Sequence, residues 1–415
     1  MKILLLITTL ITGSPNDSLT LEYCYSKAEL NHPNAKAIEL YESSTKLRNK
    51  NLGINFLPKL TLNGQASYQS DVTGLQISNP FFSAPKMNKD MYKLSIDIKQ
   101  LIYDGGLTSS REEVELKQLD IDRHKIFVEL YALKQKVNDI YFSILLLKEK
   151  FKINEVYKRD IENKILELES KIRNGSIPPG NIYPLQAQIA TIEQEMNSIK
   201  DDIRGGYSML SELTGVEISP DSELSIPNPG NIDDEIILRP ENKLFELKEI
   251  QFNALSELSE TKLLPKVSIF GQAGYGRPAL NMLKNEFETF YFVGLNFQWN
   301  PLDWGEEKNE KQIYEINKEI IKKEKETFNK NIRVKLNKFK SDILKYEELL
   351  KKDEEIINIR AKIIAVTESQ LDNGTITGTT YITETNNLNQ AKLLQRTHYL
   401  QLIQSKINYL TTKGY

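Results

Sequence analysis

Residues 92–106 read Tyr-Lys-Leu-Ser-Ile-Asp-Ile-Lys-Gln-Leu-Ile-Tyr-Asp-Gly-Gly, and their alternation decides the fold class. In an extended chain Tyr92, Leu94, Ile96 and Ile98 face one way while Lys93, Ser95, Asp97 and Lys99 face the other, the period-2 pattern of a half-buried strand. Three further stretches repeat it. Leu60, Leu62, Ala66 and Tyr68 alternate with Thr61, Asn63, Gln65, Ser67 and Gln69. Val267, Ile269, Ala273 and Tyr275 alternate with Lys266, Ser268, Gln272 and Gly274. Tyr291, Val293, Leu295, Phe297 and Trp299 alternate with Gly294, Asn296, Gln298 and Asn300. Strands are therefore expected over about 59–69, 92–103, 266–275 and 290–300, each near the roughly 9–11 residues that cross a bilayer when tilted. Polar loops at 70–91 and 276–289 suit an aqueous face.

Alternation alone would fit a soluble β-sandwich equally well. The sequence that follows each strand pair excludes it. From Ile126 the apolar positions run Leu130, Leu133, Val137, Ile140, Ile144, Leu147 and Phe151, then resume in register at Ile161, Ile165, Leu168 and Ile172 after a polar gap at Asn154 and Lys158. This 4-3 spacing is a heptad seam. Ile332, Leu336, Phe339, Ile343, Tyr346 and Leu350, followed by Ile357, Ile364 and Leu371, form a second. A helix over about 107–173 would be on the order of 100 Å long, too long for a compact sandwich.

The chain is duplicated. His32-Pro33 matches Arg239-Pro240, Leu57-Pro58-Lys59 matches Leu264-Pro265-Lys266, and Gly64-Gln65-Ala66 recurs as Gly271-Gln272-Ala273, all at an offset of 207. Asp104-Gly105-Gly106 matches Asp303-Trp304-Gly305, Asn174-Gly175 matches Asn373-Gly374, and Thr214-Gly215 matches Lys413-Gly414, all at 199. The second copy thus lacks one loop's worth of residues between Ala273 and Asp303. The expected organisation is a signal peptide over about 1–14, a first repeat over 19–215, a linker rich in Pro, Ser, Asn and Gly over 216–232, and a second repeat over 233–415. The signal is read from the apolar run at 3–12 behind Lys2, followed by Gly13, Ser14 and Pro15.

Charge and composition narrow the function. With 54 Lys+Arg against 57 Asp+Glu the net charge is −3, which argues against a nucleic-acid binder. One cysteine, Cys24, permits no disulfide framework; preceded by Glu22 and Tyr23, it reads as a buried helical thiol rather than a lipidation site. A mean hydropathy of −0.44 excludes a polytopic helical membrane protein but not a barrel, whose strands average to a polar composition. His32, His124 and His398 are scattered without catalytic spacing, and the Gly-rich stretches lack the Lys-Ser/Thr ending of a phosphate loop. No enzyme, cofactor or metal site is expected.

Four strands cannot close a membrane barrel, which starts at about 8 strands, and an open edge in lipid is prohibitively costly. The chain is therefore expected to oligomerise, and a trimer leaves room for a wide lumen lined by the polar alternate residues Asn63, Gln65, Lys93, Ser95, Asp97, Gln272, Asn296 and Gln298. Arginine at Ser95 or Asn296 should accordingly be tolerated.

The opening Leu19-Thr20-Leu21-Glu22 with Asn31-His32-Pro33, the Leu-Pro-Lys strand starts, the exit Leu101-Ile102-Tyr103-Asp104-Gly105-Gly106 and both Asn-Gly helix tips resemble the TolC-like outer-membrane efflux proteins. The resemblance covers nearly the whole mature chain. It implies an α+β homotrimer: a 12-stranded barrel in outer-membrane lipid, continued by an α-helical barrel in the periplasm. It further implies an exit duct for tripartite efflux or type I secretion, with the tips Asn174, Gly175, Ser176, Ile177 and Asn373, Gly374, Thr375, Ile376 docking a periplasmic adaptor coupled to an inner-membrane transporter. Read alone, those tips are helical hairpin turns, with Ser176-Ile177 and Thr375-Ile376 starting the return helices. The chain departs from the family where acidic residues often constrict the periplasmic mouth: it carries Asn181, Thr380 and Thr383 there, with Glu384 one helical step around. The alternative is a soluble periplasmic coiled-coil scaffold or adaptor without a pore, which gives no reason for four outward apolar rows.

Overall fold

A computed structural model of the chain describes residues 19–74, 87–230 and 236–415. The segment expected to be a signal peptide and the middle of the 70–91 loop lie outside them. In chain order the elements are α1 (Leu21–Asn31), α2 (Ala37–Gly53), β1 (Lys59–Tyr68), β2 (Asp90–Tyr103), α3 (Leu107–Arg173), α4 (Tyr183–Thr214), α5 (Pro240–Glu260), β3 (Lys266–Arg277), β4 (Glu288–Gln298), α6 (Glu306–Asp372) and α7 (Gly378–Lys413). Both α3 and α6 run unbroken for 67 residues. No helix among the described residues is apolar and long enough to cross a membrane.

Two compact units emerge, and each contains parts of both repeats. One holds residues 38–124 and 243–325, the other the described residues of 1–37, 125–242 and 326–415. The first unit carries an antiparallel sheet in the order β1-β2-β3-β4. Its two hairpins share one register: Lys59 lies opposite Lys99 and Lys266 opposite Gln298, positions related by the same offsets of 207 and 199 found in the sequence. Side chains repeat the match. Gln100 Nε2 donates to Phe56 O at 3.2 Å, and its counterpart Trp299 Nε1 donates to Leu263 O at 3.0 Å.

Strand gives way to helix by one device in both copies. Asp104 accepts from Gly106 N at 3.0 Å and Thr108 N at 2.8 Å, and Asp303 accepts from Gly305 N at 3.0 Å and Glu307 N at 2.8 Å. Each carboxylate thereby satisfies amides that the first turn of the following helix leaves unpaired.

The second unit buries the heptad seams. Ile161, Ile165 and Leu168 of α3 pack with Leu185 and Ile192 of α4 and Leu371, Tyr381 and Ile382 of the second hairpin. Ile332, Leu336 and Ile343 of α6 pack with Leu402 and Tyr409 of α7. Gly206 lets α4 approach α3 closely, since a Cβ there would lie 2.7 Å from Ile144 Cγ1. Cys24 is fully buried in α1, where burial pushes its thiol up to about 12. The Pro/Ser-rich stretch after α4 is held in place: Leu19 bridges Leu224 in parallel, and Tyr141 Oη lies 2.7 Å from both Leu19 O and Ser225 O.

Candidate functional site: the strand faces and the hairpin tips

The pairing stacks the apolar alternates of all four strands on one face. Leu62 lies opposite Ile96, Ile96 opposite Ala273, and Ala273 opposite Tyr291. Leu60, Leu62, Leu94, Ile96, Val293, Leu295 and Phe297 are all exposed there. That is an apolar sheet face for which the described residues supply no cover.

The opposite face carries Asn63, Gln65, Lys93, Ser95, Asp97, Gln272, Asn296 and Gln298. Asp97 accepts from Asn63 and from Gln272, and Lys93 Nζ donates to Gln272 Oε1 at 2.7 Å. Phe270, Phe290 and Phe292 share this face, which the polar reading of the strands missed. For Phe270 and Phe290 the cause is glycine: a Cβ on Gly294 would lie 2.6 Å from the Phe270 ring, and one on Gly274 would lie 2.6 Å from the Phe290 ring. Each of these two phenyls covers a neighbouring strand's bare backbone. The expected tolerance of Arg at Ser95 is corrected: Ser95 is only 3% exposed and leaves no room for a guanidinium, whereas Asn296 is open.

Both tips are Schellman turns. Gly175, at φ 72°, donates to Ile172 O at 2.9 Å and Ser176 N donates to Lys171 O at 2.9 Å; Gly374, at φ 68°, donates to Leu371 O at 3.0 Å and Thr375 N to Gln370 O at 2.9 Å. Asn174, Ser176, Asn373 and Thr375 are exposed, Ile376 is half-buried, and Ile177 is buried in the seam cluster. The returns differ from expectation. After Ser176-Ile177 the chain is held extended ahead of Pro178 and Pro179, makes one 3-10 turn, and begins α4 only at Tyr183. The second return starts sooner, at Gly378, where the Thr377 side chain caps α7 by accepting from Thr380 N.

The sequence matches no family model and no curated protein. The structure is similar to the outer membrane protein VceC of Vibrio cholerae at 13% identity and a TM-score of 0.64, over 95% of this chain and 96% of that one. It is similar to the Campylobacter jejuni CmeC outer membrane channel at 14% identity and 0.63, over 98% and 90%, and to the Neisseria gonorrhoeae MtrE outer membrane channel at 12% and 0.63, over 95% and 88%. The chain has the TolC-like fold. At these identities the likeness is one of fold, spread over nearly the whole length of each chain.

Within this TolC-like chain the four residues noted as possible constriction positions have partners of their own. Asn181 Oδ1 accepts from Gly378 N at 3.1 Å, joining the first return to the start of α7. Thr380 meets Thr377, Thr383 Oγ1 donates to Thr379 O at 3.0 Å, and Glu384 is paired with Arg360 at 3.1 Å.

A cluster that the sequence gave no sign of lies nearby. Lys164, its side chain 3% exposed, reaches Glu167 at 2.8 Å, Glu368 at 3.2 Å and Asp372 at 2.8 Å, and Lys171 reaches Glu167 at 2.9 Å and Asp372 at 2.8 Å. Burial opposes the Lys164 charge, but the three carboxylates outweigh it and raise its pKa. Burial likewise opposes ionisation of Asp372, and the two lysines outweigh it and lower its pKa; Glu167 is lowered by the same pair. The cluster ties α3 to α6 just above the tips. His398 Nδ1 lies 2.7 Å from Asp353 Oδ2, and no metal-holding group of His, Cys, Asp and Glu occurs among the described residues.

Proposed function

We propose that the chain is one protomer of a trimeric outer-membrane exit duct. Three sheets close into a 12-stranded barrel whose apolar face meets lipid and whose polar face lines the lumen. The helical part continues the conduit in the periplasm. The observation that carries this reading is the open four-stranded sheet with one exposed apolar face and, among the described residues, unpaired β1 and β4 edges. In lipid such edges leave backbone groups unsatisfied at a cost of several kcal/mol each, so other copies must pair with them. A second observation supports self-association: α6 exposes Ile356, Ile359, Ile363 and Val366 at heptad spacing.

The Asn-Gly tips are the docking surface for a periplasmic adaptor that couples the duct to an inner-membrane transporter, and the chain itself is a passive, non-enzymatic conduit needing no cofactor. Cargo passes through efflux or type I secretion machinery chosen by that transporter. Detergent-extracted protein is expected to be trimeric and to conduct ions in planar bilayers. A stable monomer without conductance overturns the proposal and leaves the pore-less scaffold.

A further inference from the structure

The two copies of the strand-exit turn differ at one position, and the difference points outward. In the first copy Gly105 sits at φ +74°, pressed against the lead-in to β3: a Cβ there would lie 2.6 Å from Leu264 Cβ. Its counterpart is Trp304, held at φ 55°. A left-handed backbone is strained for any L residue and comfortable for glycine. The indole is nonetheless 89% exposed, so packing within the described chain gives no return for the strain.

In the proposed barrel the β4 edge of one copy meets the β1 edge of the next; we infer that they pair in the register that β2 and β3 show within the chain, and that Trp304 lies over Ile54 and Leu57 of that next copy. The argument is the duplication itself. Both hairpins follow offsets of 207 and 199, so the β2–β3 junction has a counterpart in which β4 replaces β2 and β1 replaces β3. Asp97 opposite Gln272 becomes Asn296 opposite Gln65 of the next copy, two amides that can bond across the junction. Ile98 opposite Gly271 becomes Phe297 opposite Gly64 of the next copy, again a large residue against a bare backbone. Gly105 against Leu264 becomes Trp304 against Leu57 of the next copy.

Ile54 and Leu57 are exposed apolar residues in the turn that leads into β1. The ring cannot copy the close approach of Gly105, where even a Cβ would lie 2.6 Å from Leu264 Cβ. It acts as a wedge that holds the two turns apart by its own thickness while covering the leucine. The intrachain ladder shifts between Leu101 and Tyr103, just before this turn, so the wedge falls beyond the regular pairing from which the register is taken.

The inference rests on self-association, and the test separates the two. In full-length Cys24→Ala protein, Asn296→Cys with Gln65→Cys should oxidise into intermolecular disulfides, giving a ladder ending at three chains; β1 and β4 are opposite edges, too far apart to join within one chain. Asn296→Cys with Asn63→Cys or Ser67→Cys, on the same face but two residues out of register, should cross-link at least about tenfold less. Cross-links only at a shifted pair overturn the register while leaving the assembly. No cross-link at any pair, with monomeric protein, sinks the assembly as well. In a Trp299→Phe background, Trp304 is the remaining tryptophan. Its fluorescence in the assembled protein in vesicles should resist both acrylamide and brominated lipid. Quenching by brominated lipid would place the ring in the bilayer, quenching by acrylamide would leave it in water, and either overturns the contact.

Discussion

Arginine at Val293 is the sharpest probe of which strand face meets lipid. The strand β4 has 11 residues, about 36 Å of chain at roughly 3.3 Å each. Tilted by about 45°, it spans close to the ~25 Å apolar band of an outer-membrane barrel, and Val293, at its centre, falls near the midplane. Val293 is 79% exposed and lies opposite Gly271, so the residue directly across the ladder has no side chain to shelter a charge. Val293→Arg should cost about 2–4 kcal/mol per chain, hence about 6–12 kcal/mol per trimer, comparable to the whole stability of a domain. Asn296→Arg, on the exposed part of the other face, should cost within about 0.5 kcal/mol. The assay is urea-titrated folding into lipid vesicles, read by resistance of the assembled species to dissociation in SDS. Equal losses for the two variants would refute the assignment of faces, and equal tolerance would refute membrane insertion by this sheet.

Valine at both Gly175 and Gly374 should cost about 1–2 kcal/mol at each left-handed turn, leave the trimer intact, and abolish adaptor cross-linking and export; normal export would reduce these residues to turns. Acid should loosen the α3–α6 tie: the contribution of Asp372 and Glu167, whose pKa values are lowered on folding, is fully present above their unfolded values of 3.8 and 4.5 and is lost as pH falls through the folded values. Hydrogen exchange near the tips should therefore speed up on acidification in the wild type, while Lys164→Met should be about 1–3 kcal/mol less stable at neutral pH and respond less. Gly378→Ala would put a Cβ 2.2 Å from Asn181 O and should destabilise the joined hairpin ends by about 1–3 kcal/mol, read as a lower melting temperature.

What could be read from the sequence was whatever one element encodes by itself. Period-2 alternation marked Tyr92–Ile98 as a strand, heptad spacing marked Ile126–Phe151 as a seam, and Asn-Gly marked both Schellman turns. Pro178-Pro179 was also local and legible, yet the return helix was expected to start at Ser176-Ile177 rather than Tyr183 because the duplication invited equal treatment of both tips. Phe270 and Phe290 were invisible as partners of glycine, since the glycine each covers belongs to another strand. Lys164 meets acids 204 and 208 residues away, a pairing no local pattern encodes. The compact units cut across the repeats for a related reason: each long helix passes through both units, so sequence order and packing divide the chain differently.

The duplication also explains where the copies had to diverge. Tyr157, Asp160, Lys164 and Glu167 form a row on α3, and Tyr157 and Lys164 on it bond to α7 and α6 of the same chain. Their counterparts at the 199 offset are Ile356, Ile359, Ile363 and Val366, the exposed apolar row of α6. A row that meets its own chain can be polar, because covalent linkage holds the partner nearby and each charge has a fixed acceptor. A row left for another copy must find its partner from solution, where apolar burial drives association and charges cost desolvation. On the proposed trimer the six similar junctions of the ring are therefore of two kinds, three within chains where polar bonds flank an apolar cluster and three between chains where the exposed row is apolar. The same division appears in the sheet, where Gly105 closes the junction inside the chain and Trp304 faces outward at the equivalent turn.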